Sequence, residues 1–228
     1  MLVINILLTK TMIKITIMIL FFAMVHSAWG EGITRFELNI SHTELDRTYN
    51  NKTMATQFNS ITGLGTEQLS NNFSGSLILG YQEQLQDGNV IKAARYAIGY
   101  FGGIAVDYTV VQASKYKLTI PAKYQYHQLE GKDGNQTVNI TWYDISLGVK
   151  NYYNLGTNTQ LLADVYYFEE SGNQRALAPL SQSIRFDNKS NITYSIGMAY
   201  FLKANSSLAF KWLQGSEQGF HLLFSSKI

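Results

Sequence analysis

Ser41, His42 and Asp46 lie close together in the chain and supply the hydroxyl, imidazole and carboxylate that a hydrolytic triad needs. A triad works through geometry: the imidazole takes the hydroxyl proton while the carboxylate orients the ring. Nothing in the surrounding pattern fixes that geometry, and trios of these residue types arise often by chance. The four histidines stand at 26, 42, 127 and 221, one in the leader and the rest scattered, so no metal-ligand spacing occurs. Gly63-Leu64-Gly65 is a fragment of a phosphate-loop pattern without the third glycine, the lysine or a strand–helix setting. His127, near a predicted strand rim, is the single residue on which an enzymatic reading could rest; a hydrogen-bonding histidine of the interior is its plainer role. The sequence therefore assigns no catalytic, cofactor-binding or metal-binding residue, and no cofactor.

Asn39, Asn51, Asn72, Asn135, Asn139, Asn188, Asn191 and Asn205 each begin an Asn-x-Ser/Thr triplet. In a eukaryotic secreted protein that density would mean glycosylation. Asn39 and Asn139 fall inside predicted strands, on the register assigned to the interior, where a glycan has no room. Asparagine, serine and threonine read instead as turn residues and interior hydrogen-bond donors.

The elements that must carry these side chains are strands. Tyr143, Ile145, Leu147 and Val149 are apolar at odd positions, while Asp144, Ser146 and Lys150 take the even ones. Beyond the next turn, Leu161, Ala163, Val165 and Tyr167 alternate with Gln160, Asp164 and Tyr166. A period of two gives a strand with one apolar and one polar face. The runs last about ten residues and are rich in tyrosine, the length and dyad pattern of strands that cross a bilayer with the apolar side outward.

The first thirty residues read as a leader. Ile13 to Val25 is an apolar run interrupted by Lys14 and Thr16, with Lys10 before it and Ala28-Trp29-Gly30 after it. These are the three regions of a signal peptide cut before Glu31, and the run is short of the roughly 20 residues of a helical span. Met12 would give a more usual start than Met1. The expected organisation is a signal peptide over 1–30 and one barrel domain over 31–228. The chain has no cysteine, which excludes a lipid-modified cysteine anchor and fits a bacterial envelope protein. A formal net charge of +2 implies no nucleic-acid partner. A mean hydropathy of −0.08 is too polar for helical spans, whereas a membrane barrel needs only half of each strand to be apolar.

Ten strands are expected, at about Ile33–Leu45, Phe73–Leu85, Val90–Phe101, Ile104–Gln112, Tyr116–Leu129, Thr137–Tyr152, Asn158–Glu169, Ser190–Lys203, Ser207–Gln214 and Gly219–Ile228. Asp46–Asn72 and Glu170–Lys189 lack sustained alternation and read as large external loops. Gly102-Gly103 marks a short turn or a kink, and Pro121 a bulge. The polar register collects Arg35, Glu37, Arg95, Asp107, Lys117, Lys123, Asp144, Lys150, Asp164, Lys203 and Lys211, with His127 and His221. Facing these charges to hydrocarbon would cost about 2–4 kcal/mol for each Lys or Arg near the midplane, so they must point into the lumen. A lumen of about eight strands is just wide enough for its own side chains, and mixed charges there should pair and plug it.

The hairpins Tyr143–Glu169 (YDISLGVKNYYNLGTNTQLLADVYYFE) and Tyr194–Trp212 (YSIGMAYFLKANSSLAFKW), with the strand-to-loop passage Tyr124–Asn135 (YQYHQLEGKDGN), resemble those of the small Gram-negative outer-membrane β-barrels, the OmpA transmembrane domain and OmpX-like superfamily. The likeness spans nearly all of 31–228. It implies an all-β, closed antiparallel transmembrane barrel of eight to ten strands in the outer membrane, contacting outer-membrane lipids and lipopolysaccharide and inserted by the barrel-assembly machinery. One departure stands out: the family's assembly signal ends in an aromatic residue, whereas this chain ends Ser225-Ser226-Lys227-Ile228. The expected role is non-enzymatic, structural or surface-interacting through ligands at the outer loops. The alternatives are an outer-membrane enzyme acting on lipid A, phospholipid or peptides, a narrow channel, or a soluble lipocalin-like carrier.

Overall fold

A computed structural model describes residues 33–89, 91–177, 181–188, 191–203 and 205–228. The expected signal peptide lies outside the described residues. Among the described residues eleven strands follow one another. They are β1 (Ile33–Tyr49), β2 (Lys52–Gln68), β3 (Phe73–Leu85), β4 (Tyr96–Gln112), β5 (Tyr116–Asp133), β6 (Gln136–Asn154), β7 (Thr159–Ala176), β8 (Gln182–Asn188), β9 (Ile192–Lys203), β10 (Ser206–Gly215) and β11 (Glu217–Lys227). All pairings are antiparallel between neighbours, and β11 returns to pair with β1, which closes the sheet.

The closed sheet has two tiers. In the lower tier, where β1 begins, ten strands make the ring and β8 is not among them. The β10–β11 hairpin fills the wall between β9 and β1 only as high as the Leu45–Glu217 pair. Above it, β8 takes over the edge of β1 through Arg47–Asn188, Thr48–Asp187 and Tyr49–Phe186. β8 and β9 are both antiparallel to β7, one above the other, on its upper and lower halves. The upper tier is therefore an eight-stranded barrel, β1 to β8, standing on a ten-stranded one. Strand length follows: β1, β2 and β4 to β7 run through both tiers with 17 to 19 residues each, whereas β9 to β11 have 10 to 12.

The chemistry of the two faces reverses between the tiers while the alternation stays in phase. On β1, Phe36, Leu38 and Ile40 point outward below, and His42, Glu44 and Asp46 continue the same face above. The inward face runs from Glu37, Asn39, Ser41 and Thr43 to buried Leu45 and Tyr49. On β6, outward Leu147, Ile145 and Tyr143 give way to Thr141 and Asn139, while Ser146 and Asp144 inside give way to Trp142, Ile140 and Val138. The lower tier thus presents an apolar exterior around a polar lumen, and the upper tier a polar exterior around a dry core. That reversal marks where the outside medium changes from hydrocarbon to water.

Aromatic side chains frame the apolar band at both margins. The upper belt holds Tyr81, Tyr100, Tyr126, Tyr143, Tyr167, Tyr194 and Trp212, with Tyr81 packed edge-on against Tyr100. The lower belt holds Phe36, Phe73, Tyr108, Tyr153, Tyr200 and Phe224, with Phe73 opposite Tyr108. Leu147 and Val165 lie in the band at 55% and 51% exposure, whereas Asp164 behind them is 2% exposed. The facing read from the sequence for Leu147, Val165 and Asp164 holds.

Several boundaries differ from expectation. Asp46–Asn72 is not a loop: it contains the top of β1, the Asn50-Asn51 turn and all of β2. Glu170–Lys189 holds the top of β7 and all of β8. Both were obscured because their outer face turns polar in the upper tier, and because β2 presents Gly63 and Gly65 rather than large apolar side chains in the lower tier. Gly102-Gly103 is neither turn nor kink but the middle of one strand, β4, where a Cβ on Gly103 would come 2.2 Å from the Tyr124 carbonyl oxygen of β5. Unread β2 and divided β4 offset each other and leave the lower ring at ten strands, as expected, while β8, also unread, stands outside that ring. The bulge expected at Pro121 is absent, since Pro121 pairs in regular register with Asp107; the register shift of this hairpin lies instead between Thr109 and Val111 of β4.

Candidate functional site

The dry core of the upper tier is built around a charge. Arg47 points inward from β1 and is fully buried. Its Nε and Nη2 donate to the two carboxylate oxygens of Glu170 on β7, at 2.6 and 2.8 Å, and its Nη1 donates to Gln84 Oε1 on β3 at 2.7 Å. The guanidinium carbon lies 4.7 Å from the ring centre of Phe58 and 4.3 Å from those of Trp142 and Phe186. Planar guanidinium suits both a forked carboxylate and aromatic faces, which lysine would not. Around this clamp pack Leu45, Met54, Leu129, Val138, Ile140 and Ile184. Ile91, Ala93 and Ala94, in and beside the short 3-10 turn Lys92–Ala94, are buried in the same core. Gln86, Asn89 and Gln174 join Tyr49 in a buried hydrogen-bond network beside them.

Below the clamp the lumen becomes polar. His127 of β5 stacks on Trp142 with centroids 4.3 Å apart and 7° between planes, and on Phe101 from its other side at 4.8 Å. Its Nδ1 meets Gln82 Oε1 at 2.9 Å and its Nε2 meets Asp144 Oδ2 at 2.7 Å. Lys123 approaches the other Asp144 oxygen at 3.6 Å. Lower still, Lys211 donates to Asp164 Oδ2 at 2.6 Å, and the Ser195 and Tyr166 hydroxyls donate to the same oxygen. Lys150 pairs with Asp107 at 3.2 Å. These pairs surround a cavity of about 290 Å³ whose lining includes Glu37, Lys123, Asp144, Lys211, Glu217 and the His221 imidazole.

Of the charges collected on the polar register, most meet in the lumen as expected. Arg95 does not: it follows the 3-10 turn in the upper connection, where its Nε donates to the Asn89 carbonyl. The Lys203 side chain lies outside what the structure describes. Ser41 and His42 diverge, since adjacent strand residues face opposite ways. Ser41 turns inward to the Ser60 hydroxyl at 2.6 Å, and His42 meets Asn59 Oδ1 at 2.8 Å on the outer face. His127 sits at the height of the rim but inside, with both ring nitrogens engaged. Gly63-Leu64-Gly65 lies in mid-strand on β2. Asn39 faces the lumen as expected, but Asn139 shares its phase with Tyr143 and faces outward, paired with Glu130. Among the described residues no group of three or more His, Asp or Glu could hold a metal ion.

Arg47 and Glu170 were missed because both stand in segments read as loops. The available signal was phase: Arg47 lies between Leu45 and Tyr49 at odd positions, continuing the inward register of Glu37 to Thr43.

No family model matches the chain, and no curated protein does. Among solved structures the chain is similar to the outer membrane protease OmpT from Escherichia coli, with 10% identity and a TM-score of 0.51 over 87% of this chain and 97% of that one. It is also similar to Ail, the attachment invasion locus protein of Yersinia pestis, with 9% identity and a TM-score of 0.40 over 86% of this chain and 98% of that one. At such identities the likeness to OmpT is one of fold. The chain has the fold of a closed outer-membrane β-barrel, without a particular subfamily, and its own apolar band is the part of the wall that faces hydrocarbon.

Proposed function

We propose that this outer-membrane barrel is a non-conducting, non-enzymatic protein that works through the polar outer wall of its upper tier, which stands above the bilayer on the cell surface. The observation that carries this reading is the sealed upper tier: a dry core gathered on the Arg47–Glu170 clamp fills the eight-stranded barrel where a pore or an open active-site cleft would need space. The paired charges below it support the same reading, because Lys123, Lys150 and Lys211 each already have a carboxylate within 4 Å. The outer wall offers Glu44, Asp46, Gln57, Asn173, Arg175 and Arg185 to the medium, a mixed polar surface suited to hydrogen bonding with a ligand or a neighbouring cell surface. In planar lipid bilayers the protein should give no stepwise conductance, and strains with and without it should have identical lipid A mass spectra and peptide-cleavage patterns. Stable conductance steps, or an altered lipid A or peptide, would sink the reading.

A further inference from the structure

The lower mouth of the lumen carries positive charge that the described chain does not neutralise. Arg35 on β1 and Lys227 on β11 are direct cross-strand partners. They share the face of Glu37, Asn39 and Leu223, which line the lumen, so both point inward. Like charges directly opposite across an antiparallel pair repel. From the far wall comes Lys117 of β5, opposite Tyr152 of β6, with its ammonium 5.8 Å from the centre of that ring. The charges around it include the cations Arg35, Lys150 and Lys227 and the carboxylate of Asp107. Asp107 is already engaged by Lys150.

Glu37 stands one inward step above Arg35, but among the described residues no carboxylate forms an ion pair with Arg35, Lys117 or Lys227. Arg35 Nε is buried and has no hydrogen-bond partner. A guanidinium N–H taken from water without an acceptor is costly, so its retention needs a reason. The rest of the lumen obeys the opposite rule, matching each cation to an acid.

We propose that this mouth binds a small phosphate-type oxyanion from the periplasm, with Arg35 and Lys117 as its direct ligands and Lys227 adding charge at the edge. A tetrahedral oxyanion accepts from a planar guanidinium and from an ammonium at once, and would satisfy the orphaned Nε. This site is independent of the role proposed for the upper wall and opens at the opposite end of the barrel.

The protein, purified in a zwitterionic detergent at low chloride, is titrated with inorganic phosphate by calorimetry and thermal unfolding. Saturable binding and a rise in the unfolding temperature are expected. Arg35→Gln and Lys117→Gln should each weaken binding by about tenfold or more, the loss of one charge-assisted hydrogen bond. Lys132→Gln, at the far end of the barrel, should leave it unchanged. The gel shift on boiling shows which variants assemble; if Arg35→Gln does not, Lys117→Gln decides. Absence of saturable phosphate binding by the unaltered protein, or equal binding by the assembled variants, overturns the proposal. Phosphatidylglycerol added to the micelles separates the two sources of phosphate. Stabilisation by the lipid, lost in Arg35→Gln, with none from inorganic phosphate would replace the soluble anion with a headgroup.

Discussion

Arg47 and Glu170 lie 123 residues apart in the chain and meet in a two-pronged pair that excludes solvent, with side-chain exposures of 0% and 4%. Two charges can be held this far from water because the guanidinium also has an amide oxygen and three aromatic faces. The pair fastens β1 to β7 at the level where the wall narrows from ten strands to eight.

Breaking one side of this pair leaves the other charge buried and alone. Arg47→Ala and Glu170→Ala should each cost about 3–5 kcal/mol, while a joint replacement by apolar residues of similar volume should cost much less. Arg47→Lys should behave more like the alanine variant, since an ammonium cannot reproduce the fork. Denaturant unfolding in detergent measures all four; equal losses in the single and double variants would contradict the arrangement.

Facing can be read residue by residue. With a nitroxide on single cysteines, positions 145, 147, 149, 163 and 165 should be relaxed by oxygen dissolved in the bilayer, and 144, 146 and 164 should not. Leu147→Arg should impair assembly, at a cost approaching about 2–4 kcal/mol toward the midplane. Ser146→Arg should act through crowding of the lumen, without lipid exposure. Identical relaxation of both sets would rule out the outward-apolar barrel.

The Asn50-Asn51 turn, with φ of 45° and 70°, is the left-handed hairpin tip that joins β1 to β2. An epitope inserted between these two residues should be tolerated and accessible to antibody on intact cells. The same epitope inserted between Gly63 and Leu64 should block assembly, because β2 is there paired on both edges. A reading of 46–72 as an open loop would predict tolerance at both places.

Gly219 has φ of +144°, and a Cβ there would lie 2.0 Å from the His42 carbonyl oxygen. Gly219→Ala should therefore disturb the β1–β11 seam that closes the ring, and the fraction of protein that shifts on boiling should fall. Gly156→Ala, whose Cβ would meet nothing within 4 Å, serves as the comparison and should assemble normally.

The alternation from Tyr143 to Tyr167 was enough to determine the kind of fold, its facing and its medium. Period-two patterning is local, and each lipid-facing position reports hydrocarbon by its own side chain. The charges of Asp144, Lys150 and Asp164 could be placed in the lumen on the same ground. Tertiary structure decided what lies above the bilayer. There the outside is water and the inside is core, so the apolar phase switches faces within single strands such as β1 and β6, and β2 and β8 look like polar loops. No local pattern records that β8 stacks on β9 and relieves the β10–β11 hairpin at the upper seam. Nor could spacing reveal that Arg47, Glu170, Gln84 and three aromatic rings converge, since those contacts depend on the register of strands far apart in the chain and only ring closure fixes it.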